Sequence, residues 1–396
     1  MFKLKYQRYI LLLSTILILN SCQSSSSKNS LANEAISEKI DDFMNSVIDE
    51  KRLPGLVFSV AKKNQVLYSK AFGVSNVDTQ QQVRKNTLFH IASTNKAITS
   101  LLIAILVDED ILTWDTKAQD IYEGFTLSDD TYSSQITIRQ LLDMSSGLPE
   151  GLDNLPNQAR GLLEDLTDIE LNAPKTEYRY SNLSVSIAGY LAVLAYKKFD
   201  HGQITEEDLN TLHSGYEMLL KEKVLIPIGM THSYLNIDDA KASNNMSHSH
   251  HLENDIFVVS ESEDEPNDIF APAGGLKSTT TDMIKYMMVE TQQGVTAEGK
   301  RIVSTKNMIE RQTLSKGVAT DAEYGLGLEV KTLSNGMAYI GHTGSYDDFN
   351  SAIGLFPSQE VSFVLLSNGD SKDVLNLTGD EIENKMIEWV NQFESI

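Results

Sequence analysis

The sequence contains a single cysteine, Cys22, among its 396 residues, which excludes any intramolecular disulfide. Its main N-terminal apolar run, Ile10–Leu19, is shorter than the about 20 residues that a helix needs to cross a bilayer. Basic residues are few, with 33 Lys and Arg against 55 Asp and Glu, so the formal net charge is −22. Because such a surface repels phosphate groups, we expect neither nucleic acid nor anionic lipid headgroups as partners.

The remaining composition is that of a folded protein. Hydrophobic residues make up 41% of the chain and charged residues 22%, both ordinary values for a globular protein. A chain of this length can bury a large core without disulfides, and it fits a single enzyme of two lobes. We find no internal repeat.

The N-terminus has the pattern of a secretory signal peptide, with basic Lys3, Lys5 and Arg8 before the apolar run. The sequence Ser21–Cys22 that follows resembles a bacterial lipoprotein signal, in which the cysteine is lipidated. We therefore predict a signal peptide over 1–21, a Ser-rich tether over 22–33 and a folded domain over 34–396. The alternative is an ordinary signal peptide with an incidental cysteine. Either reading predicts export, and the first predicts a lipid-anchored protein of the bacterial cell envelope, on the periplasmic side of a membrane.

Hydrophobic periodicity predicts strands at both ends of this domain and helices in its middle. The predicted elements are a helix over 34–51, strands over Leu56–Ala61, Val66–Phe72, Tyr339–Thr343, Asn350–Phe356 and Val361–Ser367, and a helix over Leu375–Phe393. The simplest fold is α+β: an antiparallel sheet built from both chain ends and flanked by helices, with a mainly helical lobe over 97–320. A cleft between two such lobes is a favourable place for a site.

The first chemical motif is Ser93-Thr94-Asn95-Lys96, which precedes an apolar helical pattern. Residues three apart on a helix lie on the same side, so the Lys96 ammonium reaches the Ser93 hydroxyl. A helix N-terminus also favours developing negative charge. These are the requirements of an activated serine nucleophile. An S-x-x-K pattern also occurs by chance, and the alternative reading is a helix cap followed by a surface lysine.

Two further motifs follow in order. Tyr180-Ser181-Asn182 precedes another apolar helical pattern. A tyrosine next to cationic Lys96 is expected to have a lowered pKa and to accept the proton of the nucleophile. The Asn182 amide is expected to bind Lys96 and a substrate carbonyl. Taken alone, Tyr180 also fits a structural, half-buried aromatic residue.

The third motif, His342-Thr343-Gly344, follows the predicted strand at Tyr339. Thr343 offers a hydroxyl, and Gly344 is expected to let a substrate backbone approach closely. The backbone N–H groups of Ser93 and Ser345 are candidates for an oxyanion hole. The alternative for His342 is a hydrogen-bonded structural histidine.

The order S-x-x-K, Y-x-N and H-T-G resembles the serine β-lactamase and penicillin-binding protein family, which includes class C β-lactamases, DD-carboxypeptidases, D-aminopeptidases and related esterases. Four further stretches are similar to family segments. They are Leu141–Leu148, Pro227–Met230, Ala273–Thr279 and Tyr324–Gly327. The resemblance implies a β-lactamase/transpeptidase-like fold, acylation of Ser93 by a substrate carbonyl, and acid–base roles shared by Lys96 and Tyr180. Asn182, His342, Thr343, Gly344 and Ser345 would bind substrate, and no metal or organic cofactor is implied.

The substrate class stays open at this stage. His342 stands where class C β-lactamases usually carry lysine, and a histidine is mostly neutral at pH 7. This change favours a D-Ala-D-Ala carboxypeptidase-like enzyme, acting on peptidoglycan peptides, over a β-lactamase. An esterase of small acyl compounds uses the same residues. A penicillin- or peptidoglycan-binding protein without turnover is the non-enzymatic alternative.

One cluster lies outside these motifs. His248, His250 and His251 form the sequence S-H-S-H-H, but no cysteine supports a metal site there. We therefore expect these histidines to lie in a solvated loop.

Overall fold

The computed structural model describes residues 34–49, 53–151, 156, 158–260, 268–315, 323–369 and 381–394. The predicted signal peptide, the tether and Cys22 lie outside the described residues, so their assignment stays a prediction. Among the described helices, none is both long and apolar enough to cross a membrane.

A seven-stranded antiparallel sheet is the centre of the fold. Its strands run in the order β3-β2-β1-β11-β10-β9-β8. Two small two-stranded sheets pair β4 with β7 and β5 with β6. The strands are β1 (Gly55–Lys62), β2 (Gln65–Asn76), β3 (Gln81–Gln82), β4 (Phe89–His90), β5 (His250–Glu253), β6 (Ile256–Val259), β7 (Lys277–Ser278), β8 (Glu329–Thr332), β9 (Ala338–Tyr346), β10 (Phe349–Phe356) and β11 (Val361–Ser367).

The helices are mostly short, and apart from α1 and α15 they lie between β4 and β8 in the sequence. They are α1 (34–49), α2 (Asn95–Asp108), α3 (Ala118–Ile121), α4 (Asp130–Ser133), α5 (Ile138–Leu142), α6 (Gly161–Glu164), α7 (Asn182–His201), α8 (Glu206–Asn210), α9 (Leu212–Leu220), α10 (Ile226–Ile228), α11 (Ile237–Ala242), α12 (Ala271–Gly274), α13 (Thr280–Thr291), α14 (Thr305–Arg311) and α15 (Ile382–Glu394). Short 3₁₀ turns at Ala92–Thr94 and Asp268–Phe270 and a π turn at Lys221–Leu225 complete the set.

The sheet separates two hydrophobic cores, because successive side chains of a strand point to opposite faces. Phe58 and Val60 of β1 face α1 and α15, where they pack with Trp389. Val57 of the same strand faces the helical lobe and joins the larger core. Helices α2 and α7 are buried along most of their length inside this lobe.

The predicted sheet is confirmed. Strands β1 and β2 form the expected hairpin, and β11 pairs with β1 so that both ends of the domain share one sheet. One boundary was wrong: α13, inside the segment assigned to the second lobe, packs on β1, β10 and β11 and covers the sheet. The predicted helix over Leu375–Phe393 is described only from residue 381 onward.

Candidate active site

Ser93 lies in the 3₁₀ turn that leads into α2, at the bottom of a cleft between the sheet and the helical lobe. The preceding residue, Ala92, has a φ of 47°, a left-handed conformation that is uncommon for a residue with a Cβ. The Ala92 N–H donates a hydrogen bond to Nδ1 of the buried His90, at 3.1 Å. This bond secures a strained backbone next to the candidate nucleophile, where such strain is commonly found.

Lys96 is fully buried in the first turn of α2. Its Nζ is 2.8 Å from Ser93 Oγ and 3.0 Å from the carbonyl oxygen of Ala273. Burial disfavours the charged ammonium and lowers the pKa of Lys96 to about 7, against a smaller opposing effect of Glu150. A substantial fraction of Lys96 is therefore a neutral amine at physiological pH, able to accept a proton.

Tyr180 donates a hydrogen bond to the other side of the serine, with its hydroxyl 2.9 Å from Ser93 Oγ. Lys96 Nζ lies over its ring, 4.9 Å from the centroid. Contrary to expectation, burial raises the pKa of Tyr180 well above its usual value. Desolvation outweighs the lowering effect of the hydrogen bond with Ser93, so Tyr180 is a protonated hydrogen-bond donor at neutral pH and Lys96 is the stronger candidate for the base.

Asn182 is the first residue of α7, whose N-cap is the Ser181 hydroxyl. The expected hydrogen bond from Asn182 to Lys96 is absent among the described residues. The Ala273 carbonyl at the end of α12 takes that place. A role for Asn182 in binding a substrate amide stays a prediction.

Strand β9 forms the wall of the cleft opposite Tyr180. His342 is buried, and its Nε2 accepts a hydrogen bond from the Tyr324 hydroxyl at 2.9 Å while Nδ1 donates to the Thr343 carbonyl. Burial and the nearby Lys96 lower the pKa of His342 to about 3, so the ring is neutral. Thr343 and the exposed Ser345 line the cleft with their hydroxyls.

Gly344 has a different role from the one expected. A Cβ at this position would lie 2.7 Å from the Ile91 carbonyl oxygen and 2.8 Å from the Ser93 nitrogen. Glycine is therefore required at position 344 because the backbone of the turn that carries Ser93 approaches it closely, and not only because a substrate would. The backbone nitrogens of Ser93 and Ser345 remain candidates for the oxyanion hole, since both residues line the cleft.

Three cleft residues were not identified as site residues from the sequence. The cleft has a volume of about 240 Å³, and Tyr178, Tyr324 and Glu329 line it together with the predicted residues. Tyr178 lies two residues before Tyr180, and Tyr324 begins one of the stretches that resemble the family. Glu329 had no local signal, because it reaches the cleft from the edge strand β8.

The histidine cluster is a solvated loop only at His248, which is exposed and precedes β5, whereas His250 and His251 belong to the strand. His250 begins β5 and is completely buried, with Nδ1 2.9 Å from the Asn368 carbonyl and Nε2 accepting from the Val77 N–H. In the part of the chain that the structure describes, no three His, Cys, Asp or Glu residues are grouped as metal ligands.

An antiparallel sheet facing a helical lobe, with Ser, Lys and Tyr meeting in the cleft, is the architecture of β-lactamase-fold serine hydrolases. The family model named Beta-lactamase matches residues 36–382, and the chain belongs to this family.

Its curated relatives are distant. Protein flp of Staphylococcus aureus is 24% identical over 347 residues, which are 86% of this chain and 64% of flp. The chain thus spans less than two thirds of the length of flp. An unguisins hydrolase of Aspergillus campestris is 22% identical over 381 residues, which cover 91% of this chain and 67% of that protein.

Solved structures share the fold. The octameric penicillin-binding protein homologue from Pyrococcus abyssi superposes with a TM-score of 0.69 at 24% identity, over 84% of this chain and 73% of that one. SurE gives a TM-score of 0.70 at 17% identity, over 91% and 76% of the respective chains.

Proposed function

We propose that the protein is a hydrolase that forms a covalent acyl-enzyme on Ser93, with Lys96 as the general base. The observation that carries the proposal is the pair of hydrogen bonds at Ser93 Oγ, 2.8 Å from Lys96 Nζ and 2.9 Å from the Tyr180 hydroxyl. Both distances are within the range required for proton transfer. The name of the Aspergillus relative, a hydrolase, supports the same reaction class.

In the acylation step, neutral Lys96 accepts the Ser93 proton as Oγ attacks the substrate carbonyl. The new C–O bond places negative charge on the carbonyl oxygen, and the N–H groups of Ser93 and Ser345 are the proposed donors to it. Protonated Tyr180 donates its proton to the leaving group as the scissile bond breaks, and the Lys96 ammonium returns a proton to Tyr180. Water, deprotonated by the same amine, then attacks the acyl carbonyl; the bond to Ser93 Oγ breaks, and the Lys96 ammonium returns the proton to Oγ.

Intact-mass spectrometry of a soluble form, residues 23–396, tests the nucleophile. We expect a fluorophosphonate to add covalently to the wild type, and the adduct to be absent from Ser93→Ala. The conservative change Tyr180→Phe should slow the labelling but retain its site. An adduct that persists in Ser93→Ala would overturn the assignment, and no adduct in any variant would favour the binding protein without turnover.

Among substrates, small acyl esters and amides without a carboxylate fit the cleft best. A D-Ala-D-Ala peptide carries a terminal carboxylate, for which the cleft offers the hydroxyls of Thr343 and Ser345 but also the carboxylate of Glu329. His342, neutral at pH 7, supplies no compensating charge. We therefore rank a hydrolase of small esters and amides first. The carboxypeptidase-like peptidase, which the motifs favour, ranks second because of those two hydroxyls, and a β-lactamase ranks third.

Three substrates separate these possibilities. We expect purified protein to hydrolyse p-nitrophenyl acetate and to do so faster than it releases D-Ala from a D-Ala-D-Ala peptide or opens a chromogenic cephalosporin. Faster D-Ala release would restore the peptidase to first place. A penicillin adduct that persists for hours in the mass spectrum would support the same revision.

We further propose that the protein is exported and anchored to the bacterial envelope through a lipid on Cys22. The support is the position of the only cysteine directly after a signal-like segment. Expressed in full length in a bacterium, the wild type should partition into detergent and the Cys22→Ser variant into the aqueous phase. Equal partitioning of the two proteins would favour an ordinary signal peptide.

A further inference from the structure

The outer wall of the cleft is aromatic. The rings of Tyr178 and Tyr324 lie with their centroids 5.6 Å apart, and both side chains line the cleft that contains Ser93. The Tyr324 hydroxyl is already committed to His342, so its remaining contribution to a ligand is the ring. Aromatic rings present negative charge on their faces and attract cations held close to them.

The same wall carries negative charge. Glu329 lines the cleft beside the two rings, and Glu150 is close enough for its charge to raise the pKa of Tyr178 and Tyr180. The nearest cation to Glu329 is Lys331, at 3.7 Å, but Lys331 makes a closer pair with Glu383, at 2.9 Å. Of the described residues that line the cleft, none is a lysine or an arginine.

From this arrangement we infer that the cleft binds substrates that carry a positively charged ammonium group near the scissile carbonyl. The ammonium group contacts the rings of Tyr178 and Tyr324 on one side and the carboxylate of Glu329 on the other. The inference rests on the proposed function for the position of the scissile bond at Ser93. It specifies the substrate class beyond that proposal, because acyl transfer at Ser93 requires no charge on the substrate.

Direct binding to Ser93→Ala tests the inference without turnover. We would titrate this protein calorimetrically with choline and with the neutral alcohol in which carbon replaces the quaternary nitrogen. The two probes have the same shape, so a difference in their affinities reports the charge. A cation over an aromatic face, close to a carboxylate, should make choline bind about tenfold more tightly.

Two charge variants in the Ser93→Ala background locate the effect. Glu329→Gln should reduce the preference for choline to about twofold or less. Glu298→Gln removes the same charge at an exposed position outside the cleft, and the preference should survive there. Equal affinities of the two probes, no binding of either, or a preference unaffected by Glu329→Gln would each overturn the inference.

Ester hydrolysis by the wild type separates this result from the proposed function. Acetylcholine should exceed its neutral carbon isostere in kcat/KM by a similar factor. Hydrolysis of both esters at equal rates would refute the cation site and leave the acyl-enzyme proposal in place. Tight choline binding without hydrolysis of any ester would support the cation site and refute the acyl-enzyme proposal.

Discussion

The proposed chemistry of the cleft depends on the fully buried side chain of Lys96. An exposed lysine is almost completely protonated at pH 7 and cannot accept a proton. The surroundings of Lys96 supply one carbonyl and one hydroxyl as acceptors, and burial lowers its pKa to about 7. The serine therefore has a base next to it without any histidine acting as one.

This predicts a specific pH dependence. Because only neutral Lys96 accepts the Ser93 proton, kcat/KM for p-nitrophenyl acetate should rise as pH increases through about 7 and then level off. Lys96→Arg retains the charge but removes the base, and should lower kcat/KM by about 10²- to 10⁴-fold. A profile that is flat between about pH 6 and pH 8 would contradict the role of Lys96 as base.

Gly344 gives a second prediction at this scale. In Gly344→Ala the new methyl group would lie 2.6 Å from Ser351 Oγ and under 3 Å from the turn of Ser93. We expect displacement of Ser93 and a loss of about 10²-fold in kcat, with far-UV circular dichroism unchanged. Gly151→Ala is the matched control, since no atom of the described residues lies within 4 Å of its added Cβ, and its rate should equal that of the wild type.

The sequence could identify residues whose chemistry is local to a motif. Ser93 and Lys96 are one helical turn apart, and Tyr180 and His342 each stand in a recognisable tripeptide. It could not identify the Ala273 carbonyl or Glu329, which reach the cleft from distant segments. The direction of the Tyr180 pKa shift was also wrong, because burial depends on the whole fold.

At the scale of elements, α2 is held in place by buried polar contacts. Arg311 of α14 is completely buried, and it donates to the Ser100 hydroxyl and to the Ala97 carbonyl of α2. Its guanidinium is also 2.9 Å from Glu290 of α13. Since α2 carries Lys96 and α13 packs on β1, β10 and β11, this ion pair connects the helix of Lys96 with the helix that covers the sheet.

We predict that Glu290→Gln destabilises the protein by about 3–5 kcal/mol, because it leaves the Arg311 charge buried without its partner. The measurement is the free energy of unfolding in urea. Glu388→Gln is the control, because its ion pair with Lys385 is exposed and such pairs contribute about 0–1 kcal/mol. Similar losses of unfolding free energy in the two variants would show that the buried ion pair stabilises the protein no more than the exposed one.

Strand positions were easier to predict than the arrangement of helices. The short, largely apolar runs of β1, β10 and β11 predict strands directly. The segment that contains α13 was assigned to a helical lobe as a whole, and the sequence did not show that α13 covers the sheet. Because histidine is a polar residue, the sequence did not predict that His250 is buried. Its burial against Asn368 became evident only from the structure.

For the whole molecule, stability is divided between the two cores on either side of the sheet. The outer core depends on α1 and α15, which are distant in sequence and cover the face of the sheet opposite to the helical lobe. Trp389 of α15 is its largest side chain and packs edge-on against Phe43 and Phe58. The site and the outer core are therefore separable by mutation.

We expect Trp389→Ala to cost about 3–5 kcal/mol of unfolding free energy through the cavity that it leaves. Where the variant remains folded, its kcat/KM should match the wild type. Phe199→Ala, at a position that is 66% exposed, should change stability by less than about 0.5 kcal/mol. A loss of activity in folded Trp389→Ala would show that the two sides of the sheet are coupled.

The pairing of β1 with β11 also determines when the central sheet is completed during synthesis of the chain. About 300 residues of chain separate these neighbouring strands, and such distant contacts form late in folding. Ser93 leaves the ribosome early, but β9, which completes the cleft, follows about 250 residues later. A nascent chain thus carries the proposed nucleophile without the opposite wall of its cleft, and the proposed hydrolytic activity has to await the last strands of the sheet.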